Sequence, residues 1–431
     1  MYISQLIAAY TVSQVLSGRN LTVSLPEVQA RFPQATPQQR GGATDLSYGA
    51  LRHYGEIEAY LRCLLDKPLT DERIRALLIV AIYQLLHDEA DDFTVVNQAV
   101  YAVSQLKKPS PKAWAKGLVN AVLRNLLRKQ EQLVTQVQST EVAVYSYPQW
   151  WIDTLKRQYP KDWQAMLSAG NQHPPMTLRV NTNKMSLQAY LQSLAAHQIE
   201  AHQTGVQAIT LVRPMPVQKL PGFNEGIVSV QDYGAQLAAP LLDVQPGMRV
   251  LDACCAPGGK TGHVLELAQL DMTALDSDEQ RLQRVKSNLD RLQLTATLKV
   301  GDAGASDWHD GQLFDRILAD VPCTASGIVR RHVDIKWLRR KADVEAFAGQ
   351  QARILSNLWK MLAKGGKLLY VTCSVFQEEN QRQVDAFLQR HADATLLPLG
   401  LGGQMNITHM NDQLIPTDLH DGFFYALLQK H

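Results

Sequence analysis

The sequence has few of the features that mark membrane proteins, disulfide-rich secreted proteins or zinc-ribbon proteins. No stretch of it approaches the ~18 uninterrupted apolar residues that a membrane-spanning helix requires. Only five of its 431 residues are cysteine, and no two of them have the C-x-x-C spacing of a zinc or redox motif. Residues 1–5 lack the basic region of a secretory signal peptide. We therefore expect a cytoplasmic protein with no metal site and no membrane contact.

An excess of charge is also absent. The formal net charge of +2 at pH 7 is too small to indicate a polyanionic partner by itself, so any nucleic-acid surface must be local. With 431 residues and 45% hydrophobic composition, the chain is long enough for two or three domains, each with its own core. The patterning predicts an all-helical domain at 1–130, a small α+β module at 140–222 and an α/β domain at 223–431.

The predicted helical domain ends in a basic helix. Apolar residues recur at helical spacing through residues 2–129, and prolines separate the segments. Between Lys107 and Lys129 there are seven basic residues and no acidic residue. Four of the basic residues are separated by multiples of four and share one helical face: Lys112, Lys116, Arg124 and Arg128. Such a stripe is either a solvated helix face or a surface for RNA phosphates.

The next two stretches contain no candidate catalytic or binding motif. Residues 130–141 are polar and predict a linker. Within 140–222, residues 176–181 predict a strand and residues 186–196 predict a helix. We expect this small α+β module to act only by positioning its neighbours.

From residue 223 onward, predicted strands alternate with predicted helices. The strands are expected at 249–253, 272–276, 297–301, 314–320 and 367–372, with a late apolar strand at 422–429. This order is typical of a doubly wound, Rossmann-like α/β sheet. Ligands of such sheets bind at the carboxyl ends of the strands.

A glycine turn follows the first of these strands. Residues 250–261 read VLDACCAPGGKT, which predicts a buried strand, a tight turn and the start of a helix. Glycines let the backbone approach a ligand, and the helix N-terminus favours polar or anionic groups. An ordinary strand-to-helix turn is the alternative interpretation.

Two kinds of nucleotide site have such a turn. In a phosphate-binding loop the first glycine would fall on Cys254, whose Cβ hinders close approach to a ligand. In the S-adenosylmethionine turn of methyltransferases, an acidic residue at the strand end faces the amino acid part of the cofactor. Asp252 stands at that position.

Polar or reactive residues also follow the later strands. Asp276 is placed to accept hydrogen bonds from both hydroxyls of a ribose. Asp302 follows the third strand, where it could accept from an adenine amino group. Asp320 and Cys323 follow the fourth strand, and Cys373 follows the fifth. A plain scaffold does not explain acidic residues at four strand ends with cysteines beyond two of them.

Cysteines after two neighbouring strands indicate thiolate chemistry, although a single cysteine is more often a small buried residue. C5 of cytosine is a poor nucleophile because the ring is aromatic. A thiolate that adds to C6 makes C5 enamine-like and able to attack a sulfonium methyl group. A base then removes the C5 proton, and the thiol is eliminated. Asp320 is close in sequence to Cys323 and suits hydrogen bonding to ring N3, or its protonation.

The segment after the fourth strand is basic. Residues 330–341 read RRHVDIKWLRRK, with an aromatic residue among the charges. At the mouth of a strand-end site, Arg330, Arg331 and Lys336 would suit an RNA backbone with an unstacked base nearby. A solvated loop is the alternative interpretation.

At these motifs the sequence resembles the bacterial ribosomal RNA cytosine-5 methyltransferases of the Sun/Fmu type, the RsmB family. The shared motifs are the turn at 254–261, Asp-Val-Pro-Cys at 320–323, the segment 330–337, Thr-Cys-Ser at 372–374 and Asp-Gly-Phe-Phe-Tyr at 421–425. Residues 1–130 resemble the RNA-binding domain of the antitermination factor NusB. The resemblance covers the whole chain, and the combination is far more specific than any single motif.

The resemblance implies a class I S-adenosylmethionine-dependent enzyme that makes 5-methylcytidine in 16S ribosomal RNA. It implies that Cys373 is the nucleophile and that Cys323 assists release of the product. It also implies a set of cofactor contacts in the turn and at the strand ends: Cys254, Cys255, Ala256, Pro257, Gly258, Gly259, Lys260, Asp276, Asp302 and Asp320. We expect a monomer whose partner is 16S ribosomal RNA.

The sequence departs from the family pattern at two places. Cys255 replaces the first alanine of the usual Cys-Ala-Ala-Pro turn, and residues 303–306 are atypical. Both departures concern the fit of the cofactor rather than the class of reaction.

Three rival functions remain open. They are methylation of another structured RNA such as tRNA, a phosphate-loop NTPase with Lys260 on phosphates and Asp320 near magnesium, and a non-catalytic RNA-binding assembly factor. Cys254 argues against the NTPase, which also leaves Cys323 and Cys373 unexplained. The intact strand-end residues argue against a decayed, non-catalytic domain.

Overall fold

The computed structural model describes residues 2–106, 114–399, 409–410 and 413–431. The chain divides into two compact units, one of Met1–Asn171 with Val329–Arg340 and one of Gln172–Ile328 with Lys341–His431. The limits of the three predicted domains do not coincide with these units and stay predictions. Lys112, a member of the predicted basic stripe, lies outside the described residues.

The helices and strands of the described residues are as follows. The helices are α1 (Tyr2–Leu16), α2 (Leu21–Ala30), α3 (Pro37–Arg52), α4 (Tyr54–Leu64), α5 (Glu72–His87), α6 (Asp92–Ser104), α7 (Trp114–Val137), α8 (Glu141–Tyr145), α9 (Gln149–Gln158), α10 (Trp163–Asn171), α11 (Leu187–Ala196), α12 (Ala238–Leu241), α13 (Gly259–Leu267), α14 (Glu279–Leu292), α15 (Ile335–Leu338), α16 (Lys341–Met361) and α17 (Gln381–Arg390). The strands are β1 (Met176–Val180), β2 (Ala201–Gln203), β3 (Ala208–Leu211), β4 (Val228–Val230), β5 (Arg249–Asp252), β6 (Asp271–Asp276), β7 (Thr297–Val300), β8 (Phe314–Asp320), β9 (Leu362–Thr372), β10 (Ala394–Leu397), β11 (His409–Met410), β12 (Gln413–Leu414) and β13 (Phe423–Lys430). Among the described helices, none is both long and apolar enough to cross a bilayer.

The first unit is helical, as the sequence predicts, and α5 lies at its centre. Its side chains are buried continuously from Ala76 to Gln84. It packs against α1, α3, α4, α6 and α7. A helix that is apolar on all sides is stable only when other helices surround it. The apolar face of α6 is also buried, at Val95, Val96 and Ala99.

Helix α7 is longer than predicted, so the linker expected at 130–141 is wrong. The helix continues to Val137, and α8 begins four residues later at Glu141. Leu133 and Val137 are buried at helical spacing, and they continue the face formed by Val119 and Leu126. The polar composition of this stretch concealed two apolar residues that anchor the helix to the core.

The second unit begins with a small antiparallel sheet, whose strand order is β2-β3-β1-β4. Helix α11 packs against β2 and β3. Ser186 caps this helix by accepting a hydrogen bond from the Ala189 N–H group. The strand and the helix predicted in this module are both confirmed.

A larger sheet forms the rest of the second unit, with strand order β11-β12-β13-β9-β8-β5-β6-β7 and β10 paired with β13. The strands from β9 to β7 pair in parallel, and β13 runs antiparallel to β9. Each strand predicted from the sequence is present, which confirms the Rossmann-like fold. The strand order reverses between β5 and β8, where ligands of such sheets bind.

Arg179 links both ends of α13 to the small sheet, through a buried ion pair near the end of the helix and a hydrogen bond at its start. The guanidinium of Arg179 on β1 donates to both carboxylate oxygens of Glu266, at 2.8 and 3.0 Å. Both side chains are at most 6% exposed. Arg179 also donates to the carbonyl oxygen of Gly259 at 3.0 Å. The small module therefore holds the first residue of the helix that follows the glycine turn.

We predict that Arg179→Ala loosens α13, because it leaves the buried carboxylate of Glu266 without its cation. Breaking such a pair costs about 3–5 kcal/mol. Hydrogen exchange of the α13 amides, followed by mass spectrometry, should therefore accelerate by about 100-fold or more.

A matched control is Lys286→Ala, which removes the exposed ion pair between Lys286 and Asp290. Such surface pairs contribute about 0–1 kcal/mol, so exchange in α13 should stay within a few fold of wild type. Wild-type protection of α13 in the Arg179 variant would contradict the assigned role.

Candidate active site

The glycine turn lies between β5 and α13. Gly258 has a φ of 93°, in the left-handed region that favours glycine, and its N–H group donates to the Cys255 carbonyl at 2.7 Å. A Cβ atom added at Gly259 would have no neighbour within 4 Å, so there is open space at the first residue of α13. The turn therefore presents backbone and a helix N-terminus to open space.

The two cysteines of the turn pack against apolar clusters, and their predicted contact with the cofactor stays a prediction. Cys255 is buried against the hydrophobic cluster that contains Ala274 and Val285. Burial, together with nearby carboxylates, raises the pKa of Cys254 well above the usual range, and burial also raises that of Cys255. Both thiols therefore stay protonated and are poor nucleophiles.

Asp252, at the end of β5, is a fully buried carboxylate with an unsatisfied oxygen. Its Oδ2 accepts a hydrogen bond from Thr261 Oγ1 at 2.7 Å. Its Oδ1 has no hydrogen-bond partner within the part of the chain that the structure describes. Burial raises the pKa of Asp252 to about 7. An unpaired buried acceptor is costly and fits a donor from a ligand.

The next two strand ends place their acidic residues near the same edge of the sheet. Asp276 accepts hydrogen bonds from the N–H groups of Ala256 and Asp278, both at 3.1 Å. A carboxylate has about four lone pairs, so it can still accept from a diol. Asp302 accepts from the Gly304 N–H group at 2.8 Å and pairs with Arg353 at 2.7 Å. The hydrogen bond from Arg353 lowers the pKa of Asp302.

Lys260 and Asp320 form an ion pair at the point where the strand order reverses. Lys260 Nζ lies 2.7 Å from Asp320 Oδ2, and the side chains are 14% and 28% exposed. Burial alone would lower the pKa of Lys260, but Asp320 and, to a smaller extent, Cys373 outweigh it and raise the pKa. The ammonium therefore stays charged beside both groups.

The thiols that follow β8 and β9 touch each other. Cys323 Sγ and Cys373 Sγ are 3.3 Å apart. Strands β8 and β9 pair in parallel with Asp320 opposite Val371, so the residues beyond them leave the sheet together. The interaction with Cys373 and burial raise the pKa of Cys323 well above its usual range. The structure thus joins the two cysteines that the sequence singled out.

The predicted RNA contact of the basic segment after β8 is wrong for two of its three residues, because Arg330 and Lys336 are buried. Val329–Arg340 belongs to the helical unit, and Arg330 and Lys336 are buried at 1% and 0% exposure. Lys336 Nζ donates to the Arg52 carbonyl at 2.8 Å and to Asn171 Oδ1 at 2.7 Å, and it lies over the Tyr147 ring. These partners hold Lys336 inside the unit, so we no longer assign Arg330 and Lys336 to RNA. Arg331 is partly exposed.

The described part of the basic stripe on α7 is exposed. Lys116, Arg124 and Arg128 all face solvent. Arg124 donates to Asn120 and Arg128 donates to Asn125, both on the same helix. Within the described ranges, no carboxylate pairs with any of the three basic side chains.

Two residues that contact the strand-end residues or the loops beyond them were not predicted from the sequence. Arg353 on α16 is 51 positions from its partner Asp302, and Glu379 lies just before α17. Glu379 is fully buried and binds the residues that follow Cys323 and Cys373. No spacing rule links these residues, although an acidic residue six positions after a reactive cysteine could have been noted.

This arrangement of a doubly wound sheet, a glycine turn after β5 and acidic residues at the following strand ends is that of a Rossmann-like methyltransferase. Comparison with protein families agrees. Residues 239–429 match the family described as 16S rRNA methyltransferase RsmB/F, residues 147–218 match the ferredoxin-like domain of RsmF/B-like methyltransferases, and residues 3–128 match the NusB family. The chain belongs to the RsmB/F methyltransferase family.

Relatives match nearly the whole chain. The ribosomal RNA small subunit methyltransferase B of Yersinia pestis bv. Antiqua (strain Angola) is 42% identical over 434 residues, which cover 98% of this chain and 98% of that protein. The protein of the same name from Yersinia pseudotuberculosis serotype O:1b (strain IP 31758) has the same identity and coverage.

Solved structures share the fold. The crystal structure of PH0851 has a TM-score of 0.81 at 23% identity and covers 100% of this chain and 99% of its own. A methyltransferase homolog protein from Pyrococcus horikoshii has a TM-score of 0.59 at 27% identity, and the match covers 67% of this chain and 97% of that one.

We predict that Asp252→Asn removes a pH-dependent loss of stability. The pKa of Asp252 is about 7 in the folded chain, above its usual value of 3.8. Its contribution is therefore complete below pH 4 and is lost as the pH rises to 7, at a total cost of up to about 4 kcal/mol. Measured by calorimetry, the Tm of the Asn variant minus that of wild type should increase between pH 5 and 7.5.

Asp290→Asn, which changes an exposed carboxylate in the same unit, is the control, and its Tm difference should stay nearly constant. A constant difference for Asp252→Asn over the same range would show that Asp252 titrates normally.

Proposed function

We propose that this chain transfers a methyl group from S-adenosylmethionine to C5 of a cytosine in 16S ribosomal RNA, through a covalent bond between Cys373 and ring C6. The observation that carries the proposal is the 3.3 Å contact between the thiols of Cys373 and Cys323, next to the Lys260–Asp320 ion pair. The family and the name of the Yersinia relatives support ribosomal RNA as the substrate. The position of the methyl group and the covalent bond rest on the chemistry of the site.

The residues around the glycine turn fit S-adenosylmethionine. The buried Oδ1 of Asp252 is without a partner among the described residues and suits the ammonium of the amino acid part. The open space at Gly259 lets the cofactor approach the backbone of the turn. We assign the ribose hydroxyls to Asp276 and the adenine amino group to Asp302. When bound, the cofactor supplies an electrophilic methyl group.

Cys373 is the nucleophile in this proposal. Its sulfur forms a bond to C6 of the cytosine ring, which moves electron density to C5 and to N3. The Lys260 ammonium stabilises the negative charge of the attacking sulfur. The Asp320 carboxylate has its Oδ1 free of partners among the described residues. We assign it to take up the proton that the Cys373 thiol loses and to hydrogen bond with, or protonate, N3.

Cys323 assists release of the product. After C5 has taken the methyl group, a base removes the C5 proton, the C6–sulfur bond breaks and N3 loses its added proton. Cys323 lies beside the sulfur that leaves, and its raised pKa keeps it a neutral thiol during attack. The two cysteines therefore act at different stages of one reaction.

The exposed stripe on α7 is the proposed contact with RNA phosphates. Lys116, Arg124 and Arg128 project from one face without carboxylate partners in the described ranges. Trp114, at the start of the helix, is 51% exposed and could stack on an unpaired base. This surface supplies the local basic region that a net charge of +2 makes necessary.

The prediction for the thiol pair separates the two roles. Cys373→Ala should lower transfer of labelled methyl groups to unmodified 16S ribosomal RNA by at least about 10³-fold, because the nucleophile is gone. Cys323→Ala should instead trap a covalent protein–RNA complex that survives a denaturing gel. Mapping of the methylated base identifies C5 of cytosine.

Cys63→Ala is the control, since Cys63 packs against the helical core and has no part in the site. A covalent complex formed by Cys373→Ala and not by Cys323→Ala would reverse the roles. Methylation of tRNA with no methylation of 16S ribosomal RNA would replace the substrate but keep the chemistry.

A second prediction concerns the stripe. Replacing Lys116, Arg124 and Arg128 by Gln should weaken binding of 16S ribosomal RNA and lower the slope of log Kd against log salt concentration by about 2. The measurement is filter binding at KCl concentrations from about 50 to about 300 mM. Over this range the affinity of a protein that binds several phosphates falls by about 10³-fold or more, so a change of slope is readily measured.

The matched control removes the same charge from arginines that already pair with carboxylates, namely Arg19, Arg62 and Arg382. Its salt slope should stay close to that of wild type. Equal slopes for the stripe variant and wild type would mean that the stripe does not contact RNA.

A further inference from the structure

We infer that Glu379 is a positioning residue that holds the two site thiols against each other. Glu379 closes a short 3-10 turn, Gln377–Glu379, that follows β9. It is fully buried, although acidic residues are rarely buried unless their oxygens are satisfied. The inference rests on the proposed roles of Cys323 and Cys373 for its meaning in the reaction, but the geometry stands by itself.

One carboxylate binds the residue that follows each cysteine. Glu379 Oε1 accepts from the Thr324 N–H group at 2.8 Å, and Oε2 accepts from Thr324 Oγ1 at 2.5 Å. Oε2 also accepts from Ser374 Oγ at 2.5 Å. Thr324 follows Cys323, and Ser374 follows Cys373. The loops after β8 and β9 are therefore joined through a single side chain.

Gln351 on α16 extends the support to the other side of Cys323. Its Nε2 donates to Glu379 Oε1 at 3.1 Å and to the Pro322 carbonyl at 2.9 Å. Pro322 and Thr324, the residues on both sides of Cys323, are thus fixed by one connected network. Small movements of either loop would break several hydrogen bonds at once.

Further hydrogen bonds tie the same loops together. Ser326 Oγ lies 3.0 Å from Ser374 Oγ and accepts from the Val375 N–H group at 2.9 Å. The Gly327 N–H group donates to the Cys373 carbonyl at 2.8 Å. These bonds cross between the loops, and Glu379, six residues after Cys373, contacts both of them with one side chain.

The chemistry of Glu379 suits positioning and not proton transfer. Its oxygens receive hydrogen bonds from Thr324, Ser374 and Gln351, which are neutral donors. Burial raises its pKa, and these hydrogen bonds oppose the shift. Its carboxylate binds the neighbours of the thiols, so it acts on the reaction through them. Residues of this kind typically change activity by about 10–100-fold when altered.

The test is a measurement of thiol geometry that needs no methyl transfer. Diamide oxidises two thiols to a disulfide only when they can approach within bonding distance. Mass spectrometry then quantifies the Cys323–Cys373 peptide after digestion. In Glu379→Gln, which replaces an acceptor oxygen by a donor of the same size, this disulfide should form at least tenfold more slowly than in wild type.

Glu378→Gln is the matched control, because its neighbouring carboxylate pairs with Arg382 on the surface. It should cross-link at the wild-type rate. Equal cross-linking rates for wild type and Glu379→Gln would overturn the inference, whatever reaction the chain performs.

Kinetics provide a second readout. With 16S ribosomal RNA as substrate, Glu379→Gln should lower kcat by about 10–100-fold while KM for S-adenosylmethionine changes less than threefold, since the glycine turn is not part of the network. A rise in that KM with unchanged kcat would also overturn the inference. If Glu379→Gln does not fold, Ser374→Ala removes one donor and should slow cross-linking in the same direction.

Discussion

The site depends on the parallel pairing of β8 with β9. In this register Asp320 lies opposite Val371, and the Val321 N–H group donates to the Val371 carbonyl at 3.1 Å, which extends the pairing beyond β8. The two segments that follow these strands therefore leave the sheet side by side, which brings the thiols near each other. A shift of one residue in either strand would turn its side chains to the other face. Strand register is thus a precondition for the thiol contact, and the loops set its distance.

Sequence patterns predict the sheet well because buried parallel strands are short apolar runs ending in small or polar residues. The predicted strand at 314–320 coincides with β8, whereas β9 begins five residues before its predicted start at 367. The same reasoning brings Cys323 and Cys373 together, since parallel strands have their carboxyl ends at one edge. What it cannot supply is the distance between them, which depends on the loops.

The sequence interpretation was wrong for charged side chains whose partners come from distant parts of the chain. Lys336 lies in a basic segment that suggests solvent or RNA, yet backbone and amide oxygens surround it inside the helical unit. Burial accordingly lowers the pKa of Lys336 well below its usual range. Arg179 and Glu379 were not predicted for the same reason, because their partners are distant in sequence. A buried charge is recognisable only once its acceptors or donors are in place.

Two buried acidic side chains, Asp252 and Glu379, lie near the carboxyl ends of the strands, where their burial opposes stability. Asp252 has an unsatisfied oxygen, and Glu379 accepts hydrogen bonds from neutral donors, while the sheet behind them is apolar, as at Leu251 and Ile317. Replacing such groups by apolar residues would often stabilise a fold. Their burial restricts each to one orientation, which the proposed reaction of a thiol with a flat ring requires. The apolar sheet therefore offsets the cost of an edge that is organised before any ligand binds.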